Sequence, residues 1–140
     1  MKAYLTKRYR FSASHRLNND ELSVEENRAT YGKCNNPHGH GHNYALEVTV
    51  SGEVDPRTGM VCDLGGLDTA VQSAIIDRFG HENLNVLPEF SREVPTSENL
   101  ARKIFEILKR EHGAATLERV GLDETSLNSF EYAGGSEMRR

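Results

Sequence analysis

Three histidines within five positions, His38, His40 and His42 in the run HGHGH, are the residues of this chain best placed to do chemistry. Spaced by two, they share one face if the segment is extended, because strand side chains repeat every two residues. Two neutral imidazoles from one strand and a third from its neighbour make a three-ligand zinc site that keeps a position open for water or substrate. His15 closes the alternating segment YLTKRYRFSASH and is the natural third ligand. Spacing alone leaves open which two of the clustered histidines join it. An unpaired ring at the inner end of such a strand is costly, which favours a metal site over a Gly-rich turn with solvated imidazoles.

Cys34 lies just before the cluster in YGKCNNP, next to Lys33. A neighbouring cation and a metal would favour its thiolate, a nucleophile or general base. Cys62 in MVCDL reads instead as a small buried thiol. His81, in FGHENLN, either relays a proton or is satisfied at a helix C-terminus, the reading preferred for His112. Glu124, in LDETSLN, is either a solvated turn residue or a carboxylate gripping a planar amidine-like edge through two hydrogen bonds.

These residues need a scaffold. Tyr4 to His15 reads as a strand, and Asn43 to Val54 alternates well, with Tyr44, Leu46, Val48 and Val50 on one face. Between them the polar stretch from Asn18 to Pro37 is long for a loop, which favours function, and Ser23 with Glu26 signals a short helix by a capping box. DPRTG at 55–59 is a turn and MVCDL a brief extended return. A helix follows, capped by Asp63, with Leu67, Val71, Ala74, Ile75 and Phe79 as its apolar stripe. A second helix starts after Pro95, capped by Thr96 or Ser97, buries Leu100, Ile104, Phe105, Ile107 and Leu108, and stops at Gly113. Strands over Thr116–Glu124 and Leu127–Tyr132 complete the order. Two strand pairs around two helices predict an α+β fold, an antiparallel sheet with helices on one face. The chain reads as one domain over 1–133 with a loose tail at 134–140.

Composition narrows the function classes. The chain has 140 residues, with 17 Lys+Arg against 21 Asp+Glu, a formal charge of -4. That balance offers no general attraction to nucleic acid or to an anionic membrane. No apolar stretch approaches the ~20 residues of a membrane span. MKAYLTKRYRF lacks the apolar run of a secretory signal, and two cysteines make no disulfide framework, so a cytoplasmic location is expected.

SASHR, EENRATYGKCNNPHGHGHNY, TGMVCDL, GHENLN, PTSENLA and LDET stand in the order seen in 6-pyruvoyl-tetrahydropterin synthases. The resemblance runs from Tyr4 to Tyr132, and its most specific part is CNNPHGHGHNY. It implies zinc (Zn2+) on His15, His40 and His42, with His38 the extra residue. It implies that Cys34 is catalytic, that His81 belongs to its proton relay, and that Glu124 anchors the pterin ring with Thr96 and Ser97 alongside. The implied reaction eliminates triphosphate from 7,8-dihydroneopterin triphosphate. Arg10, Arg28 and Lys33 are candidates to meet that triphosphate. The implied architecture is the tunnelling fold (T-fold), a four-stranded antiparallel sheet with two helices on one face. Its barrel closes by oligomerisation into a homohexamer, a dimer of trimers with active sites between subunits. The related 6-carboxy-tetrahydropterin synthases, which also release acetaldehyde, usually have a shorter interval between Cys and HGH. A pterin aldolase usually carries a glutamate in the cysteine region, where Glu25 and Glu26 lie too far upstream.

One residue departs from the pattern. The family normally has Asp before the relay histidine, and this chain has Gly80. A carboxylate there would fix the imidazole tautomer and stabilise its charged form. Asp68, Asp77 and Glu82 are the substitutes on offer, and a pterin- or zinc-binding homologue with impaired chemistry is the alternative. Restoring aspartate at 80 is expected, on sequence grounds, to speed turnover.

Overall fold

Along β1 (Lys2–His15) and β2 (His40–Glu53) every second side chain turns to the same face. On β2 that face carries Tyr44, Leu46, Val48 and Val50, all fully buried, and on β1 it carries Phe11, Ala13 and His15. The computed structural model describes residues 1–111, 116–125 and 127–134. The predicted stop at Gly113, the reading of His112 and the tail beyond 134 fall outside them.

β1 and β2 pair antiparallel, as do β2 with β3 (Thr116–Asp123) and β3 with β4 (Ser129–Tyr132), giving the order β1-β2-β3-β4. One irregularity in register falls at Thr49/Val50. Between β1 and β2 the capping box is present: Ser23 Oγ accepts from the Glu26 N–H at 3.1 Å, and Glu26 Oε1 accepts from the Ser23 N–H at 2.9 Å. It opens α1 (Val24–Tyr31), which runs into a 3₁₀ turn over Gly32–Asn35.

The second connection differs from its sequence reading in two ways. MVCDL is a bend and not an extended return. Asp63 precedes the helix but makes no side-chain cap, its backbone carbonyl accepting from the Leu67 N–H instead. The helix runs as α2 (Leu64–Val71), a π turn (Gln72–Ile76) and α3 (Asp77–Phe79). Leu67, Val71, Ile75 and Phe79 recur every fourth residue, which overshoots a 3.6-residue period by about 40° per step. The wider π turn brings the stripe back toward the sheet.

α4 (Ser97–Glu111) buries Leu100, Ala101, Ile104, Phe105 and Leu108. These side chains, the α2–α3 stripe and the inner face of the sheet make one core. Burying a side chain of this kind contributes ~1.5–3 kcal/mol, so the helices hold the sheet from one side. Leu84 and Phe90, in two short 3₁₀ turns between the helices, and Leu87, which links those turns, also join this core. Among the described residues no helix is long and apolar enough to cross a membrane.

Candidate metal centre

Register brings the histidines together. His15 pairs with His40 and Ala13 with His42, so all three imidazoles lie on the helix side of the β1–β2 ladder at its open end. Their ring centroids are 4.5–5.0 Å apart. Gly39 makes the approach possible: its φ is +71°, and a Cβ there would sit 2.9 Å from the His15 carbonyl oxygen. His38 lies before the strand, exposed, and is not part of the cluster.

Glu124 joins from the third strand. It follows the last paired residue of β3, Asp123, and its Oε1 reaches 2.8 Å from His42 Nε2 and 3.9 Å from His15 Nε2. Its Oε2 accepts from the Ser97 hydroxyl at 2.5 Å. One ligand atom from each of His15, His40, His42 and Glu124 lies within 4.8 Å of the others.

His15 Nδ1 lies 2.7 Å from the Pro95 carbonyl, which only accepts, so Nδ1 carries the proton and Nε2 presents a lone pair. Burial pushes His15 and His42 below the ordinary imidazole range, which keeps them in the neutral form a metal binds. Nε2 of both rings is buried without a hydrogen bond. Glu124 Oε1 is 2.8 Å from His42 Nε2, yet the two make no hydrogen bond. Buried polar atoms normally find partners. Two orphaned ring nitrogens converging with a carboxylate fit a divalent cation bound by nitrogen and oxygen, as zinc is.

Two of the helix-start residues take different parts. Thr96 is the cap, its Oγ1 accepting from the Asn99 N–H at 3.1 Å. Ser97 is buried and faces Glu124, so its hydroxyl stands behind that carboxylate and is not an open surface for a ligand.

The family model for 6-pyruvoyl tetrahydropterin synthase matches residues 4–135. The chain belongs to this family. It is 45% identical over 134 residues to human 6-pyruvoyl tetrahydrobiopterin synthase, covering 95% of this chain and 92% of that protein. To the Drosophila melanogaster enzyme it is 43% identical, covering 94% and 80%. The solved Caenorhabditis elegans 6-pyruvoyl tetrahydropterin synthase superposes with a TM-score of 0.92 at 42% identity, covering 96% of this chain and 97% of that one.

In this 6-pyruvoyl tetrahydropterin synthase family member the other candidate residues do not all gather at the histidine cluster. Cys34 is carried to the end of β1 by a zipped loop, in which its carbonyl accepts from the Leu17 N–H at 2.8 Å and Asn35 Nδ2 donates to the Leu17 carbonyl at 2.7 Å. Burial, and then the Glu124 carboxylate, push its thiol up. Lys33 is exposed and does not offset them, so the expected thiolate is not made by the protein charges alone.

Among the described residues no contact joins His81 to Cys34. The His81 N–H donates to the Ser12 carbonyl, and the Ser14 N–H donates to the Glu82 carbonyl at 2.9 Å, so this segment lies along the outer edge of β1. The exposed His81 shares a hollow of about 290 Å³ with Ser12, Ser14, Gly41, Asn43 and the metal-cluster residue His42. Ser12 and Asn43 hydrogen-bond across the sheet face turned away from the helices. Arg10 lines the same region, whereas Lys33 is beside Cys34 and Arg28 is exposed on α1. Of the substitute carboxylates, Asp68 is taken by Lys7 Nζ at 2.9 Å and the Tyr9 hydroxyl at 2.8 Å. Asp77 shares a pocket with Gly80 and His81 but accepts from Gln72 Nε2 at 2.7 Å. Glu82 lines the His81 hollow.

Gly80 has a steric reason to be glycine. Its N–H donates to the Ile76 carbonyl at 2.8 Å, and a Cβ would lie 2.5 Å from that oxygen. Restoring the family aspartate would therefore strain the helix end, a cost separate from its expected effect on turnover. Gly80→Asp is expected to destabilise the fold by roughly 1–3 kcal/mol, as overpacking does, read by denaturant unfolding. An unchanged midpoint would mean that the helix end relaxes freely.

Proposed function

We propose that this chain is a zinc-dependent 6-pyruvoyl-tetrahydropterin synthase that eliminates triphosphate from 7,8-dihydroneopterin triphosphate. The observation that carries the reading is the convergence of His15, His40, His42 and Glu124 beside Cys34, in a chain whose relatives carry that name over nearly its whole length. A zinc held by the three histidines would act as a Lewis acid on the substrate's side-chain hydroxyls.

The protein residues do the rest. Cys34, once ionised, takes protons from the substrate side chain. Glu124 accepts two hydrogen bonds from the amino-pyrimidine edge and fixes the ring. His81 returns a proton. Because His81 lies along the outer edge of β1 and no contact joins it to Cys34 among the described residues, its partner cysteine in this reading belongs to another copy of the chain. A homohexamer of single-domain subunits with active sites between them, working in the cytoplasm, accommodates that separation.

Gly80 favours a second reading, a pterin- and zinc-binding homologue with impaired chemistry, because the carboxylate that would orient His81 is missing. Incubating zinc-loaded protein with dihydroneopterin triphosphate decides among the readings. Pyruvoyl product with triphosphate and no acetaldehyde is expected. Acetaldehyde release would move the chain to the 6-carboxy reaction, and tight pterin binding without turnover would establish the impaired homologue.

A further inference from the structure

We propose that Glu124 closes the metal centre as its fourth ligand in the substrate-free protein and has to leave it when a pterin binds, with the Ser97 hydroxyl holding its other oxygen. The inference rests on the metal reading above and makes the metal and the pterin alternative partners of one carboxylate.

The two carboxylate oxygens face different partners. Oε2 accepts from the buried Ser97 hydroxyl at 2.5 Å, which orients the group and leaves Oε1 toward the histidines. Oε1 lies 2.8 Å from His42 Nε2, yet that nitrogen has no hydrogen-bond partner. A carboxylate oxygen this close to a ring nitrogen that makes no hydrogen bond to it is explained when both donate to one cation. Ligands at ~2.0–2.1 Å around a tetrahedral zinc lie about 3.3 Å from each other. The 2.8 and 3.9 Å separations from Glu124 to His42 and His15 bracket that edge.

The two roles exclude each other. Gripping a planar amino-pyrimidine edge takes both carboxylate oxygens. Ligating the metal takes Oε1 out of that grip, while Ser97 holds the orientation of Oε2. Glu124 stands one residue past the paired end of β3, in a bend, so no ladder hydrogen bond fixes its backbone. Four protein ligands make a closed site and three an open one. Pterin binding would therefore open the coordination position as it draws Glu124 away, and the substrate-free metal would be shielded from adventitious ligands.

Cobalt(II) in place of zinc tests this, because its visible absorption reports the donor set. The probe is 6-methylpterin, which has the amino-pyrimidine edge but no side-chain hydroxyls to reach the metal. In the wild type, saturating 6-methylpterin is expected to shift the cobalt band. Glu124→Gln is expected to show a different band before any pterin is added, no shift on addition, and a cobalt affinity lowered at least tenfold in chelator competition. Ser97→Ala, with the carboxylate untethered, is expected to fall between them. Identical spectra and affinities for wild type and Glu124→Gln would overturn the inference while leaving the three-histidine site standing. A wild-type band indifferent to bound pterin would overturn the exchange without any variant. Failure of the wild type to take up one cobalt per chain would overturn both the inference and the metal reading.

Discussion

His40→Ala or His42→Ala is expected to leave the protein without stoichiometric zinc and to lower kcat by about 10³-fold, since Lewis-acid stabilisation is worth several kcal/mol and each 1.36 kcal/mol is a factor of ten. Both residues lie at the open end of β2 with partly exposed side chains, so the fold should survive and far-UV circular dichroism should be unchanged. His15→Ala should lose the metal as well but also stability. Its ring is buried, and without it the Pro95 carbonyl loses its partner, at a cost of about 1–3 kcal/mol. The contrast separates ligation from packing, because three variants that lose metal equally should differ in unfolding midpoint. Zinc content by atomic absorption and turnover under saturating substrate are the measurements. A His42→Ala protein with full zinc and wild-type turnover would remove the centre from the mechanism.

Much of this centre could be read from the sequence because period 2 is a strong signal. Tyr44, Leu46, Val48 and Val50 declare the inner face of β2, and extending their parity backward places His42 and His40 on it. The same parity on β1 links Phe11 and Ala13 to His15. What parity cannot supply is register. β1 and β2 are joined by α1 and its flanking loops and not by a tight turn, so no turn geometry sets the pairing. The match of His15 to His40 is a tertiary result of burying both faces together. Glu124 was visible only as a carboxylate at a strand end, because its approach to His42 depends on β3 pairing with β2 at Ala45↔Asp123.

The remaining differences have local causes. The helix was legible over its stripe, but the π turn became visible only as the consequence of a strict four-residue apolar spacing. Leu84, Leu87 and Phe90 recur every third residue, the period of 3₁₀ turns, over a run too short to stand out as an α-helical or strand pattern, so their burial was not marked. Thr96 and Ser97 look interchangeable in sequence, yet one caps α4 and the other is turned inward onto Glu124. Gly80 looked like a lost carboxylate, and its close approach to the Ile76 carbonyl gives it a packing role as well.

Cys34→Ala should lower kcat by about 10²–10⁴-fold, the range for removing a positioned general base, with zinc content and KM little changed. The loop hydrogen bonds that position Cys34 run through its carbonyl and through Asn35, so the variant keeps them. The pH profile gives the sharper test. Burial and the Glu124 carboxylate raise the thiol above its ordinary range in the metal-free chain. Below that raised value the thiolate fraction grows tenfold per pH unit, so kcat should climb with pH through the neutral range. A bound dication inverts part of this balance by favouring the anion, and moving Glu124 away removes the other opposing charge. The limb should therefore sit at lower pH in the zinc-loaded, substrate-bound enzyme than direct titration of the thiol gives for the apoprotein. Cys34→Ala should abolish the limb and leave a flat residual rate. If the variant kept both the rate and the limb, the base would have to be sought elsewhere. Glu124, whose carboxylate acts on Cys34, would then be the first candidate.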